Sequence, residues 1–126
     1  MRKINRIQSF RYAFVGIWYT LRTQRNAQIH LSIGLIIFIL GLILKLTLIE
    51  WAILALTIGF VLAAEMVNTV AEVAMDYLTT EFNLHVKIIK DVAAGAVLTA
   101  AITAIIVGLL ILGPPLFEQL AWFLSQ

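Results

Sequence analysis

The chain has 126 residues, of which 62% are apolar and 13% charged, with a net charge of +2 and a mean hydropathy of +0.99. Soluble domains carry about 45–50% apolar and about 25% charged residues, so this composition excludes an ordinary soluble protein and favours an integral membrane protein. The absence of cysteine excludes disulfides, thiolate metal sites and a cysteine nucleophile. The length predicts a single domain over residues 1–126.

The N-terminal segment is strongly basic. Its first 25 residues contain no acid and six basic side chains, namely Arg2, Lys3, Arg6, Arg11, Arg22 and Arg25. Such a segment can bind nucleic acid, but beside long apolar runs it indicates the cytoplasmic side of a membrane. We expect no signal peptide, because the first long apolar run starts only near Ile29 and lacks a small-residue cleavage pattern.

Residues 8–23 form the first predicted element. Apolar side chains recur there at helical spacing, with arginines among them: Phe10, Phe14, Ile17, Trp18 and Leu21. This pattern predicts an amphipathic helix that lies on the cytoplasmic membrane surface. The alternative is a helix packed against the other helices of the protein.

Three later segments are long enough to span a bilayer, which takes about 20 residues. They cover about residues 29–48, 51–74 and 92–112. A very short link near Thr47–Glu50 predicts that the first two spans form an antiparallel hairpin. Gly113-Pro114-Pro115 is predicted to end the third span.

The distribution of basic residues predicts the orientation of the chain. The polar stretch 76–91 contains Lys87 and Lys90, whereas the first hairpin has only Lys45 and the tail after Pro115 has no basic residue. Because cytoplasmic loops are enriched in Lys and Arg, the N-terminus and the 76–91 stretch are predicted to be cytoplasmic and the C-terminus to lie outside.

The third span carries small residues four positions apart, at Ala96, Ala100, Ala104 and Gly108. In lipid, small residues allow helices to approach closely, so this ladder is a predicted packing face. A bundle of only three spanning helices also makes self-association a reasonable expectation.

A polar stripe interrupts the second span. Glu65, Asn68 and Glu72 fall within one narrow sector of a helix, and Asp76 extends it. The preceding apolar run, 51–64, covers about 21 Å of helix rise, which places Glu65 within the inner part of the bilayer. A carboxylate at that depth requires a cation, a metal or a proton.

Further charges lie at the same predicted membrane face. Lys87, Lys90 and Asp91 come at the start of the third span, although Asp91 could simply cap that helix. Carboxylates can hold Mg²⁺, a lysine can meet a phosphate, and a buried carboxylate can accept a hydroxyl proton, which together suit phosphoryl transfer. No G-x-x-x-x-G-K-[ST] or G-x-G-x-x-G motif is present. A small cation or proton transporter and a non-catalytic assembly subunit remain alternatives.

Four stretches resemble the prokaryotic diacylglycerol kinase family, in particular its undecaprenol kinase branch. They are SFRYAFVGI (9–17), RNAQIHL (25–31), EMVNTVAE (65–72) and KDVAAGAV (90–97). The resemblance implies an all-α membrane kinase with three transmembrane helices and an N-terminal amphipathic surface helix. It also implies a homotrimer in the bacterial cytoplasmic membrane, with active sites shared between subunits, that transfers the γ-phosphate of Mg²⁺·ATP to a lipid hydroxyl.

The resemblance also implies roles for individual residues. Glu65 matches the catalytic base, Asn68 a neighbouring site residue, and Glu72 a magnesium ligand. The positions that match nucleotide contacts are Tyr12, Glu81, Phe82, Asn83, Lys90 and Asp91. Asn83 departs from the histidine common in the family, which puts its role in doubt.

A second departure concerns the metal. Gln24 occupies the position of a second metal-binding glutamate, and its neutral carbonyl oxygen is a weaker magnesium ligand. Either this homologue works with less charge, or it is a variant of reduced activity. The residues do not distinguish undecaprenol from diacylglycerol as the acceptor; the resemblance favours undecaprenol. His30 and His85 receive no role.

Overall fold

The computed structural model describes residues 5–126 as four helices. They are α1 (Arg6–Thr23), α2 (Arg25–Ile43), α3 (Leu48–Leu78) and α4 (Leu84–Leu124). The last three are long and apolar enough to cross a membrane, which confirms the predicted all-α fold with three spanning helices. A helix also occupies the predicted 8–23 segment, while its placement on a membrane surface stays a prediction.

The turn between α2 and α3 lies earlier than the sequence suggested. The predicted link at Thr47–Glu50 is displaced, because Thr47 is the N-cap of α3 and Glu50 already belongs to its first turn. The Thr47 hydroxyl accepts a hydrogen bond from the Glu50 N–H at 3.4 Å, and the Glu50 carboxylate accepts one from the Thr47 N–H at 2.7 Å. This reciprocal pair satisfies two N–H groups that the helix start leaves without partners.

Helix α2 ends in a Schellman motif. The N–H of Leu46 donates to the carbonyl of Gly41 at 3.1 Å, and the N–H of Lys45 donates to the carbonyl of Leu42 at 3.3 Å. Lys45 adopts a φ of 55°, the left-handed conformation that this motif requires and that glycine usually supplies. The chain therefore reverses in four residues, 44–47, between two capped helices.

Side-chain packing fixes the same corner. Trp51 lies against the backbone of Gly41, so that a Cβ on residue 41 would come within 2.7 Å of the indole ring. Phe38 of α2 also packs against Trp51, with ring centroids 5.2 Å apart at an interplanar angle of 57°. A glycine is thus needed at position 41 to let α3 approach α2.

Helix α4 is longer at both ends than predicted. It starts at Leu84, where the Asn83 side chain accepts from the N–H groups of His85 and Val86, so the suggestion that Asp91 caps the helix is wrong. It also continues through Gly113-Pro114-Pro115 to Leu124, so these residues do not end it. At Pro114 the clash with the preceding residue is reduced because Gly113 has no Cβ. In apolar surroundings a continued helix also leaves fewer backbone groups without partners than an interruption would.

The bundle core is narrow and built from small residues. Helices α3 and α4 run along each other, and α4 buries Ala93, Val97 and Ala100. Of the predicted ladder of small residues, Ala100 is fully buried within the chain, whereas Ala96 is exposed in the single chain, and packing of this face between subunits stays a prediction.

Candidate active site

The polar stripe on α3 is present as predicted and lies in the interior of the bundle. Glu65 is only 1% exposed and Asn68 is 6% exposed, although both are polar side chains on a mostly apolar helix. Glu72 is half-buried and Asp76 is exposed at the end of the stripe. The burial thus decreases steadily from Glu65 toward the α3–α4 connection.

Two amides hold the carboxylate of Glu72. Gln24, at the junction of α1 and α2, donates from Nε2 to Glu72 Oε2 at 3.1 Å. Asn68, one helical turn before Glu72, donates from Nδ2 to Glu72 Oε1 at 3.1 Å. The sequence predicted that Gln24 and Glu72 share a site, and the structure brings them into direct contact across 48 positions of sequence.

His30 of α2 faces Glu65. The distance from His30 Nε2 to Glu65 Oε1 is 3.3 Å, and the histidine side chain is 23% exposed. The sequence analysis left His30 without a role, although the spacing of small residues in α2 places His30 on the same helix face as those residues. Ala27, Gly34 and Gly41 are the buried residues of α2 and follow at intervals of seven, and His30 lies on the same face between the first two.

Two buried acceptor atoms lack a donor among residues 5–126. They are Glu65 Oε1 and Asn68 Oδ1. His30 lies within ion-pair distance of Glu65 Oε1, but the angle between them is not that of a hydrogen bond. Buried polar atoms without partners are rare and costly, so these two oxygens indicate a place where a bound group supplies a donor or a cation.

Cations from α4 meet the outer end of the stripe. Lys90 forms an ion pair with Asp76 and thereby connects α4 to α3. Lys87 pairs instead with Asp91, one turn along the same helix. Of the two predicted nucleotide contacts at the start of α4, only Lys90 therefore joins the α3 stripe, while Asp91 pairs with Lys87.

The remaining predicted nucleotide contacts lie apart from this cluster within the chain. Tyr12 is 61% exposed on α1, Glu81 and Phe82 are exposed in the α3–α4 connection, and Asn83 caps α4. No hydrogen bond or ion pair between described residues connects these four to Glu65 or Glu72. Their roles stay predictions.

The residues around Glu72 are suited to a hard cation, although they carry little charge. No three histidine, cysteine, aspartate or glutamate side chains gather into a metal site anywhere in residues 5–126. Glu72 contributes one carboxylate, and Gln24 and Asn68 add amide oxygens, of which Asn68 Oδ1 has no partner. Magnesium is commonly bound through one or two carboxylates together with substrate phosphates, so this donor set fits a nucleotide-bound Mg²⁺.

An apolar cavity of about 350 Å³ separates α2 from α4. His30 lies at one end of it, and the walls that follow are formed by Ile37, Ala104, Gly108 and Leu112. The cavity therefore leads along the membrane-spanning part of the bundle to the side chain that faces Glu65.

Known proteins resemble this chain over most of its length. Residues 11–112 match the family described as prokaryotic diacylglycerol kinase. The undecaprenol kinase of Bacillus subtilis (strain 168) is 41% identical over 115 residues, which cover 90% of this chain and 94% of that protein. The diacylglycerol kinase of Synechocystis sp. (strain ATCC 27184 / PCC 6803 / Kazusa) is 46% identical over 116 residues, 90% of this chain and 66% of that protein. No solved structure gives a significant match. The chain, whose buried Glu65 and amide-held Glu72 share one face of α3, belongs to the prokaryotic diacylglycerol kinase family.

Proposed function

We propose that the protein transfers the γ-phosphate of ATP to the primary hydroxyl of a membrane lipid in a magnesium-dependent reaction. One observation carries the proposal: the carboxylate of Glu65 is 1% exposed, and its Oε1 has no hydrogen-bond donor among residues 5–126. A lipid hydroxyl is a donor that arrives from the membrane. Membership in a family of lipid kinases supports the same reaction.

Glu65 acts as the general base of the transfer. The acceptor hydroxyl donates its hydrogen to Glu65, which takes the proton as the oxygen forms a bond with the γ-phosphorus. The bond between that phosphorus and the bridging oxygen of ADP breaks in the same step. Burial of Glu65 keeps water from competing with the lipid for the phosphoryl group.

Glu72 and Gln24 hold the magnesium ion. When bound, Mg²⁺ neutralises charge on the nucleotide phosphates. Asn68 has two tasks on this reading: its Nδ2 orients the Glu72 carboxylate, and its unpartnered Oδ1 offers a further oxygen. Because Gln24 is neutral, the proposed site carries one negative charge less than a site with two carboxylates. The protein then either works with this lower charge or has reduced activity.

Lys90 offsets phosphate charge at the outer end of the stripe. In the chain by itself this ammonium pairs with Asp76, whose side chain is 68% exposed, and a phosphate can compete with such a pair because solvent screens it. Tyr12, Glu81, Phe82, Asn83 and Asp91 complete the proposed nucleotide site. Since they lie apart from Glu65 within one chain, we place them in a site shared between subunits of a homotrimer.

The acceptor is proposed to be undecaprenol. The relative named undecaprenol kinase is matched over 94% of its length, whereas the relative named diacylglycerol kinase is matched over 66% of its own. This chain is therefore closer in length to the relative named undecaprenol kinase, which favours undecaprenol as the acceptor. Both lipids present a primary hydroxyl, so the chemistry at Glu65 is the same for either.

We further propose that the protein lies in the bacterial cytoplasmic membrane with its N-terminus and the α3–α4 connection in the cytoplasm and its C-terminus outside. The distribution of lysine and arginine supports this orientation. The exposed aromatic side chains Phe10, Phe14 and Trp18 of α1, four residues apart, suit a helix on the membrane surface.

The test is a phosphorylation assay with purified protein in detergent. Labelled ATP and magnesium are supplied with undecaprenol and diacylglycerol in competition, and the labelled lipids are separated. The proposal predicts labelled undecaprenyl phosphate in excess. Label on diacylglycerol alone contradicts the acceptor, and no labelled lipid contradicts the kinase; ion flux in proteoliposomes then tests transport.

A further inference from the structure

His30 is the basic side chain closest to the buried carboxylate of α3. Its Nε2 lies 3.3 Å from Glu65 Oε1. Among residues 5–126, no lysine or arginine lies within ion-pair distance of Glu65. The lysines that do form ion pairs, Lys87 and Lys90, pair with Asp91 and Asp76. The nearest other acid of the stripe is Glu72, which is held by Gln24 and Asn68.

The fold fixes His30 at this place. Ala27, three residues earlier, is fully buried, and a Cβ built on Gly34, four residues later, would lie 3.6 Å from the side chain of Ile58 of α3. These small residues bring the backbone of α2 close to α3 on the face that carries His30. The imidazole Nε2 lies 3.3 Å from Glu65 Oε1, in contact with the carboxylate but outside hydrogen-bond geometry.

We propose that His30 is a positioning residue for Glu65, which fixes the direction in which that carboxylate meets the acceptor hydroxyl. The proposal rests on the function assigned above to Glu65. A carboxylate on a flexible side chain has several rotamers, and a neighbouring imidazole at 3.3 Å selects among them. A misplacement of about 1 Å at a reacting group can lower a rate by about 10²-fold, so this selection affects turnover directly.

His30 has a second contact that must be separated from the first. It lines one end of the apolar cavity between α2 and α4. If its contribution were only to shape that cavity, a substitution would weaken binding of the lipid and raise KM. If it orients Glu65, the substitution lowers kcat and leaves KM for the lipid nearly unchanged.

The kinetic test compares His30→Ala with His30→Gln and with a control, His85→Gln. His85 is exposed in the first turn of α4 and has no ion pair with Glu65, so it controls for the loss of a histidine elsewhere in the chain. We expect His30→Ala to lower kcat about 10²-fold with KM for the lipid changed less than about twofold. We expect His30→Gln to retain most of kcat, because its amide Nε2 can occupy the place of the imidazole Nε2. A wild-type kcat for His30→Ala, or a rise in KM alone, overturns the proposal.

A spectroscopic test does not depend on turnover. Protein labelled with ¹⁵N-histidine gives resonances from His30 and His85 in detergent. At a fixed pH, Glu65→Gln is expected to shift the His30 Nε2 resonance and leave that of His85 in place. An unchanged His30 resonance overturns the proposed contact. If wild-type protein phosphorylates no lipid, the function assigned above fails, whereas this comparison still decides whether His30 and Glu65 interact.

Discussion

Glu72 and Gln24 are joined by a hydrogen bond of 3.1 Å, in which the amide of Gln24 donates to the carboxylate at a point between α1 and α2. Gln24 stands where the family usually has a second metal-binding glutamate, and Glu72 is the proposed carboxylate ligand. The hydrogen bond therefore joins the substituted position to that ligand. A neutral amide stabilises the carboxylate without a metal, whereas a second carboxylate at the same distance would repel it. If the proposed metal site is correct, we expect Gln24 to lower its affinity for magnesium and to stabilise the metal-free protein.

Gln24→Glu should reverse both effects. We expect the variant to unfold at a lower temperature without magnesium, because two carboxylates then face each other, and to gain more stability than wild type when Mg²⁺ is added. The magnesium concentration for half-maximal activity should fall about tenfold, equivalent to ~1.4 kcal/mol. Thermal unfolding and lipid phosphorylation are measured across a magnesium titration.

A matched control for this experiment is Gln28→Glu. Gln28 is exposed one turn further along α2 and donates to the carbonyl of Arg22 rather than to an acid. It should not change the magnesium dependence. Equal responses of the two variants, or no change at Gln24→Glu, would show that this position does not limit metal binding.

Glu65→Gln should abolish turnover. The amide keeps the shape of the side chain but cannot take a proton, and loss of general base catalysis lowers rates by about 10²–10⁴-fold. Phosphorylation is measured with saturating lipid and ATP, and the elution volume in size-exclusion chromatography should equal that of wild type. The control Glu118→Gln, an exposed acid of α4, should be fully active. Substantial turnover by Glu65→Gln would remove its assignment as the base.

Gly41→Ala should destabilise the α2–α3 hairpin. A Cβ there would lie 2.7 Å from the ring of Trp51 and 3.1 Å from Leu46, and the indole also packs against the ring of Phe38. Overpacking of this kind costs about 1–3 kcal/mol. Gly59→Ala is the control, since a Cβ on residue 59 meets nothing within 4 Å. Unfolding temperatures in one detergent are compared; equal values for both variants would refute the close approach of Trp51.

Lys45→Gly should stabilise the same turn. Lys45 has a φ of 55°, a conformation that costs an L-residue about 1–2 kcal/mol and costs glycine far less. Glycine also loses more conformational entropy on folding, which offsets part of this gain. We expect the free energy of unfolding to rise by about 1 kcal/mol in total. Lys45→Ala removes the same side chain but retains the Cβ, so it should bring no gain. A higher unfolding temperature for the alanine variant than for the glycine variant would contradict the left-handed conformation.

Much of the site could be predicted from local spacing. Glu65, Asn68 and Glu72 repeat at three and four residues, which places them on one face of any helix that contains them. The long apolar runs likewise identified α2, α3 and α4, because a bilayer needs about 20 apolar residues regardless of neighbours. The Lys87–Asp91 ion pair also has helical spacing and could have been predicted in the same way.

The contacts that cross between helices could not be predicted in this way. His30 and Glu65 meet because of how far α2 is rotated about its own axis, and the rotation of α4 likewise decides that Ala93, Val97 and Ala100 are buried within the chain. Rotation depends on which small residues pack together, a property of two sequences at once. Helix ends were uncertain where side chains, such as that of Asn83, compete to cap them.

The close packing of Trp51 against Gly41 fixes one end of α2, so a change in the tilt of α2 moves its other end most. From Gly41 to Gln24 the helix extends about 26 Å, so a tilt of about 2° at this pivot moves the far end by on the order of 1 Å. The contacts of His30 with Glu65 and of Gln24, the N-cap of α2, with Glu72 both lie toward that far end. If the proposed function holds, we therefore expect the rigidity of the Gly41–Trp51 turn to affect how accurately Glu65 and Glu72 are aligned.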